Sequence, residues 1–313
     1  MRHSVLRSIR NVYFNPYRLF AIITRFGCFA HMEDERYLKL LYRGVVGRPL
    51  HLDPPVLFSE KLQWLKLHDK NPIYPVLCDK LAVREYVRGR VGEERLIQLL
   101  GVWESAEQID FAALPERFVL KCSHDSGSAI VCRDRSKFDE QAARSTLKHN
   151  LRRDYSIAGR EWPYRDVPRR ILAERFLTGA DGTQAAEYKF FCFDGKVRLL
   201  LICTNHENRY AGNYTYTPDF SLFPVYKSIL NEPEDPHISR PQRYDAMVEI
   251  AERLSAGFVH MRVDLYDTAE GIKVGELTLH SSSGLSQTMI LQGDRYLGEC
   301  MNLDMLKMAH PER

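Results

Sequence analysis

The chain contains no C-x-x-C pair. Its seven cysteines (Cys28, Cys78, Cys122, Cys132, Cys192, Cys203 and Cys300) are scattered over 313 residues. That pattern argues against a thiolate zinc site and a disulfide frame, and it reads as reduced thiols in a cytosol. Net charge is nearly absent, +3 from 44 basic and 41 acidic residues, so charge alone makes no case for nucleic acid as a partner. Long apolar runs are missing from the N-terminal region. Its longest, LFAIIT at 19–24, lies between Arg18 and Arg25, far short of the roughly 20 residues a membrane span needs and short for a signal-peptide core. There is no repeat, low-complexity tract or long linker. No Ser-His-Asp or Cys-His arrangement stands out, so no side-chain nucleophile is expected.

What is present is the composition of an ordinary globular protein, 44% hydrophobic and 27% charged, long enough for about two domains. Arg2, Arg7, Arg10, Arg18 and Arg25 all precede the first acid, Glu33. Val5, Leu6, Ile9, Val12 and Tyr13 recur there at helical spacing. Such a basic amphipathic helix either lies on an anionic membrane surface or docks its apolar face on its own domain. Residues 1–75 read as mostly helical. Ser59 is the expected N-cap of FSEKLQWLKLHDK, with Leu62, Trp64 and Leu65 available to a core. Asp79 is expected to cap a second helix with the stripe Val83, Tyr86 and Val87, closed by Gly89 or Gly92.

From about Leu96 the pattern turns mixed. Strands are expected at LIQLLGVW, RFVLKC, AIVCRD, RILAERFL, EYKFFCFDGKVRLLLIC, HMRVDLYD and KVGELTLH. A helix at 137–152 should face Phe138, Ala142, Leu147 and Leu151 inward, and another spans about 244–255. The fold class is α+β with mainly antiparallel hairpins.

The hairpin MRVDLYDTAEGIKVGELTLH concentrates charge. Strand alternation puts Arg262 and Asp264 on one face. A turn centred near Glu270 sets Asp264 opposite Glu276 and Arg262 opposite Thr278, with facing Cβ atoms roughly 5 Å apart. Two carboxylates at that distance repel by about 3 kcal/mol at an effective dielectric of 20. They need a cation or a shared proton. Mg²⁺ holding a phosphate ligand answers that need; an Arg262–Glu276 diagonal salt bridge on a solvated face answers it as well. The polar loop SSSG, Ser281 to Gly284, offers hydroxyls and N–H groups to an anion or a reacting carboxylate, or is a plain turn.

A second hairpin, FVLKCSHDSGSAIVCRD, ends its first strand in Lys121. Ser123, His124, Ser126, Gly127 and Ser128 follow. The lysine is a point charge for phosphate and the loop a source of hydroxyls and N–H groups; a solvated tip is the plainer alternative. Neither G-x-x-x-x-G-K-[ST] nor G-x-G-x-x-G stands nearby.

The order of these pieces resembles the ATP-grasp superfamily: a lysine and glycine loop, a strand ending in an acid (ILAERFL), an acid-and-lysine strand (EYKFF), then R-x-D and a later acid. More closely, FSEKLQWLKLHDKNP, DKLAVREYV, LLGVWES, FVLKCSHDSGS, GREWPYRDV, AERFL, EYKFFCFDGK, RVDLYD and GELTLHSSSG resemble the TupA-like ATP-grasp family of teichuronopeptide and surface polysaccharide biosynthesis. The resemblance runs from about Tyr37 to Gly284.

It implies two α+β subdomains that clamp ATP, preceded by a small helical region, with boundaries near 75 and 177. It also implies roles. Lys121 and the Ser123–Ser128 loop would meet the phosphates. Glu174, with the backbone of Arg175, Phe176 and Leu177, would meet adenine, and Glu187 the ribose. Lys189 and Arg262 would act on phosphate oxygens, and Asp264 and Glu276 would hold Mg²⁺. Thr278, Ser281, Ser282 and Ser283 are candidates to face the substrate. One departure stands out: the family pattern carries Asn two residues after the metal-binding Glu, where this chain has Thr278.

The function expected is ATP-dependent joining of a carboxylate to an amine through an acyl phosphate, with a uronate or glutamyl group and an amino acid or amino sugar as partners. A glycan kinase would use the same nucleotide site. A nonenzymatic adaptor on a degenerate fold is the alternative from another class, and a sugar-nucleotide transferase fits least, because DLYD is not D-x-D. Asn205, Tyr210, Asn213 and Tyr214 are candidates to stack on a sugar or to cover a sheet edge.

Overall fold

The computed structural model describes residues 16–24, 27–203, 213–227 and 238–309. The expected amphipathic helix around Val5 to Tyr13 lies outside them, as do Asn205 and Tyr210. Contacts divide the chain into two units. The first gathers residues 1–71, 156–162 and 280–313, and the second 72–155 and 163–279.

Helices build the first unit: α1 (Pro16–Ile23), α2 (Asp34–Val45) and α3 (Phe58–His68). Tyr37, Leu38, Leu41 and Tyr42 of α2 are buried in its core. Helix α3 starts differently from the sequence expectation. The Glu60 carboxylate accepts the N–H groups of Val56 and Leu57 at 3.1 and 3.0 Å, satisfying donors that the helix itself leaves open. Ser59 is not the cap; it lies inside the first turn, and its hydroxyl donates to Asp294 at 2.7 Å. Leu62 and Leu65 are buried as expected and Trp64 only partly.

In the second unit, helix α4 (Val83–Val91) begins four residues after Asp79, whose carboxylate instead accepts the N–H of Leu81 at 2.8 Å. Gly92, at φ +99°, ends it. Helix α5 (Glu140–Arg152) is capped by Asp139, which accepts the Ala142 N–H. Phe138, Leu147 and Leu151 pack inward as expected, but Ala143, not Ala142, is its buried alanine.

Among the described residues nine strands form two sheets. The first has the order β1 (Leu99–Trp103), β4 (Ile171–Arg175), β2 (Phe118–Cys122), β3 (Ile130–Cys132). The second runs β7 (Asn213–Tyr216), β6 (Lys196–Cys203), β5 (Ala186–Phe193), β8 (His260–Thr268), β9 (Gly271–Thr278). Every pairing is antiparallel. Phe118, Leu120, Ile171 and Ala173 turn one face of the first sheet toward α5 and its Leu147. Behind the second sheet, helix α6 (Tyr244–Ser255) buries Met247, Ile250, Ala251 and Leu254, and its Tyr244 ring lies 6.1 Å from that of Phe190. Alternation then commits the neighbouring residues of β5, β8 and β9 to the opposite face. Residue 177 falls between the last strand of the first sheet and the first of the second. A subdomain boundary there, one sheet on each side, remains a proposal.

Candidate active site

The ladder between β8 and β9 pairs Arg262 with Thr278 and Asp264 with Glu276. Near the turn, Thr268 pairs with Gly271 and Leu265 with Val274. Continued without interruption, that register would set Asp264 opposite Gly275 and send Glu276 to the apolar face. A bulge at Gly275 absorbs one residue and returns Glu276 to the face of Asp264. Glycine is required there: a Cβ on Gly275 would stand 2.5 Å from a ring carbon of Tyr266.

Strand β5 brings its own alternate residues to this face, with Lys189 opposite Asp264 and Glu187 opposite Tyr266. The side chains connect. Asp264, fully buried, accepts from Lys189 Nζ at 2.6 Å and from Arg262 Nε and Nη2 at 2.7 and 2.8 Å. Lys189 also reaches Glu187 at 2.8 Å, and the Tyr266 hydroxyl donates to Glu187 at 2.9 Å. Arg262 Nη2 donates to Thr278 Oγ1 at 3.0 Å and lies 3.5 Å from Glu276.

Burial works against ionising Asp264, but the Arg262 guanidinium and the Lys189 ammonium outweigh it and hold the carboxyl below its usual range. For Lys189, burial likewise favours the neutral form, and Asp264 reverses the balance, so the ammonium is held more firmly than usual. Burial, reinforced by Glu187, keeps the Tyr266 phenol protonated far above its ordinary range.

Three carboxylates (Glu187, Asp264, Glu276) face two cations (Lys189, Arg262), which leaves one negative charge in excess. Asp264 is enclosed by its cations, whereas the Glu276 side chain is 31% exposed and lies 3.5 Å from Arg262. This donor set fits a hard divalent cation bound through one or two carboxylates, with its other positions filled by water and phosphate oxygens, as Mg²⁺ prefers. Among the described residues no group of three or more His, Cys, Asp or Glu forms a metal cage.

The first sheet contributes the other part. Val119 pairs with Glu174 and Lys121 with Leu172, so Lys121 and Glu174 are diagonal neighbours on one face. They form an ion pair at 2.6 Å. Burial alone would push the Lys121 ammonium toward neutrality, but Glu174 raises its affinity for the proton. A cavity of about 260 Å³ adjoins the pair, just under the roughly 300–1,000 Å³ of small-molecule sites. Val119, Val131, Phe176 and Leu177 give it apolar walls, and Lys121 and Glu174 supply charge. A smaller cleft brings Lys80, Lys121, Glu174 and Glu276 together.

The polar loop is less open than its composition implies. Ser123, His124 and Asp125 are buried. The Ser123 hydroxyl donates to Pro168 O at 2.5 Å and accepts the Arg170 N–H at 2.9 Å. A His124 ring nitrogen meets Arg153 O at 3.2 Å. Ser128 donates to Asp125 at 2.5 Å. Ser123 and His124 therefore fasten the base of the loop, and it is Ser126 and Gly127 that are exposed. Ser281, Ser282 and Ser283 belong to the first unit. There Ser281 is buried, and the Lys66 ammonium donates to Ser283 O and Oγ at 2.7 and 2.8 Å. The hydroxyl of Ser283 thus has a structural partner. Tyr214 pairs with Ile202 on the outer strand β7.

Three residues at the site escape a motif-based reading. Lys80 contacts the carbonyl of Asp125, Arg84 lies 4.0 Å from Glu174, and Tyr266 orients Glu187. The signal for Tyr266 is its place two residues after Asp264, on the same face. Lys80 and Arg84 lie in DKLAVREYV, where a capping reading hid two cations.

The comparisons agree with this geometry on one point. Solved structures are distant. A D-alanine–D-alanine ligase from Bacillus anthracis in complex with ATP is 14% identical with a TM-score of 0.43, covering 76% of this chain and 68% of that one. An L-amino acid ligase from Bacillus licheniformis is 14% identical at 0.46, covering 82% and 57%. The ATP-grasp ligase PsnB with its minimal precursor is 12% identical at 0.41, covering 90% and 75%. No curated protein matches. The model of the TupA-like ATP-grasp family, however, matches residues 60–302, a span that contains both sheets and every charged residue of the site, and the chain belongs to that family.

Proposed function

We propose that the protein is an ATP-dependent ligase that joins a carboxylate to an amine. The observation that carries this reading is the placement of Asp264 and Glu276 on one face beside Lys189 and Arg262. The family assignment and the Lys121 cavity support it.

The cavity suits a base and ribose, with adenine between Val119, Val131, Phe176 and Leu177, and Glu187 toward the ribose. Lys121, Ser126 and Gly127 take phosphate oxygens. Asp264 and Glu276 would hold Mg²⁺, which when bound would neutralise phosphate charge. Lys189 and Arg262 are already held in place by Asp264, so they meet the transferring phosphoryl group without reorganising.

The substrate carboxylate attacks the γ-phosphorus, ADP leaves, and an acyl phosphate forms. The amine then attacks the acyl carbon, phosphate leaves, and the nitrogen loses a proton. Positioning and charge do this work without a protein nucleophile. A surface polysaccharide or teichuronopeptide precursor bearing a uronate or glutamyl group is the substrate class we assign, with Thr278 toward the acceptor. We place the protein in the cytoplasm; the absence of a disulfide among its seven cysteines is consistent with that.

The test is ADP and phosphate release with glucuronate or a glutamyl peptide, each with and without an amino acid or amino sugar. Release that requires both a carboxylate and an amine supports the ligase. Phosphate transfer to a sugar hydroxyl, without amine dependence, would replace it with a glycan kinase.

A further inference from the structure

We propose that Arg84 is a positioning residue for the nucleotide: it takes up the charge of Glu174 and so frees Lys121 for phosphate. This inference rests on the nucleotide site proposed above and concerns how the charges of that site are balanced.

Glu174 is buried, and each of its carboxylate oxygens faces a different cation. Oε2 accepts from Lys121 Nζ at 2.6 Å, whereas Oε1 lies 4.0 Å from Arg84 Nη1. The second distance is about 1 Å longer than a hydrogen bond, so it is a charge contact that a small movement would tighten. Arg84 is itself anchored. It is the second residue of α4, and its Nη1 donates to Ile97 O at 3.0 Å. Ile97 lines the larger cavity together with Lys121 and Glu174. The guanidinium therefore links a wall residue of that cavity to the acid.

Charge counting gives Arg84 its role. With phosphate at Lys121, one cation would serve two anions, and one of them, Glu174, has no access to bulk water in exchange. A buried carboxylate that loses its cation is costly. Among the described residues Lys121 and Arg84 are the cations within 4.0 Å of Glu174. Lys80 lines the smaller cleft with Lys121 and Glu174 but is tied to Asp125, whose carbonyl it contacts and whose carboxylate is 3.9 Å away. Arg84 is thus the cation placed to hold Glu174 while Lys121 turns to phosphate.

The experiment is Mg-ATP binding, read by calorimetry, to the parent chain, Arg84→Gln, Arg84→Lys, Glu174→Gln and the double variant Arg84→Gln/Glu174→Gln. Arg84→Gln should weaken binding about tenfold, and Arg84→Lys, which keeps the charge, should recover most of the loss. In the Glu174→Gln background no carboxylate is left to strand, so adding Arg84→Gln should change affinity by less than about twofold. An arginine that only supports the fold would weaken binding equally in both backgrounds, and that result overturns the proposal. So does an Arg84→Gln chain that binds Mg-ATP as the parent does. Either result, with Lys121→Ala still weakening binding, leaves the nucleotide site standing without Arg84. A parent chain that binds no Mg-ATP removes the site and this inference together.

Discussion

Glu276 faces Asp264 across the β8–β9 ladder, yet the two acids are not equivalent. Asp264 is closed off by Arg262 and Lys189, whereas Glu276 keeps an open side toward solvent. Asp264 holds the two cations in place, and in the proposed ligase Glu276 offers Mg²⁺ the open carboxylate beside it.

The first consequence is that Glu276→Gln should keep the fold and lose magnesium-dependent turnover by at least a hundredfold. Circular dichroism and ATP hydrolysis at varied Mg²⁺ check this. A variant that is more stable and fully active would mean that relief of like-charge repulsion is all the substitution does.

Asp264 gives a pH prediction. Its carboxyl is held below the ordinary value in the folded chain. The unfolded chain then binds the proton more readily, so the stabilisation is present above about pH 4, the ordinary Asp range, and is lost as pH falls through the lower folded value. Asp264→Asn removes the acid that two buried cations share, leaving Lys189 with Glu187 and Arg262 with Glu276, and should cost about 3–5 kcal/mol at pH 7. Its unfolding temperature should approach that of the parent chain as pH drops below about 4. A gap that stays constant down to pH 2 contradicts the ion pairing.

In the proposed site Lys121→Ala removes a phosphate cation, and it also takes away the nearer of the two cations on Glu174, leaving Arg84 at 4.0 Å. ATP affinity should fall at least tenfold and stability by about 3 kcal/mol. Lys121→Ala/Glu174→Gln should recover much of the stability and none of the affinity, which separates the two effects. Unchanged ATP binding in both variants removes Lys121 from the nucleotide site.

Thr278→Asn replaces a hydroxyl with an amide oxygen, a stronger ligand for a hard cation. The Mg²⁺ concentration for half-maximal activity should fall severalfold. If it rises, the contribution of Thr278 is its hydrogen bond with Arg262.

Much of this site was legible in the sequence, because strand alternation fixes which residues share a face. Period two sets Arg262 beside Asp264 on one strand face, while Glu187 and Lys189 came from the family resemblance. The pairing of Asp264 with Glu276 was anticipated from a turn centred near Glu270. The observed turn lies half a residue earlier, and the Gly275 bulge makes up the difference. A bulge depends on the fit of the Tyr266 ring over a glycine, which no periodicity reports. The cap of α3 was misplaced for a similar reason. Ser59 has the right chemistry for an N-cap, but Asp294, 235 residues away, claims its hydroxyl. The grouping of 156–162 and 280–313 with the first helices is likewise long-range, invisible to local pattern.

The central claim is tested most directly by calorimetry of Mg-ATP with the parent chain and with Glu276→Gln. The account predicts one nucleotide bound per chain, with affinity that drops when Mg²⁺ is removed with EDTA and with no such metal dependence in the variant. Absence of binding, or binding equally tight with EDTA, would contradict it.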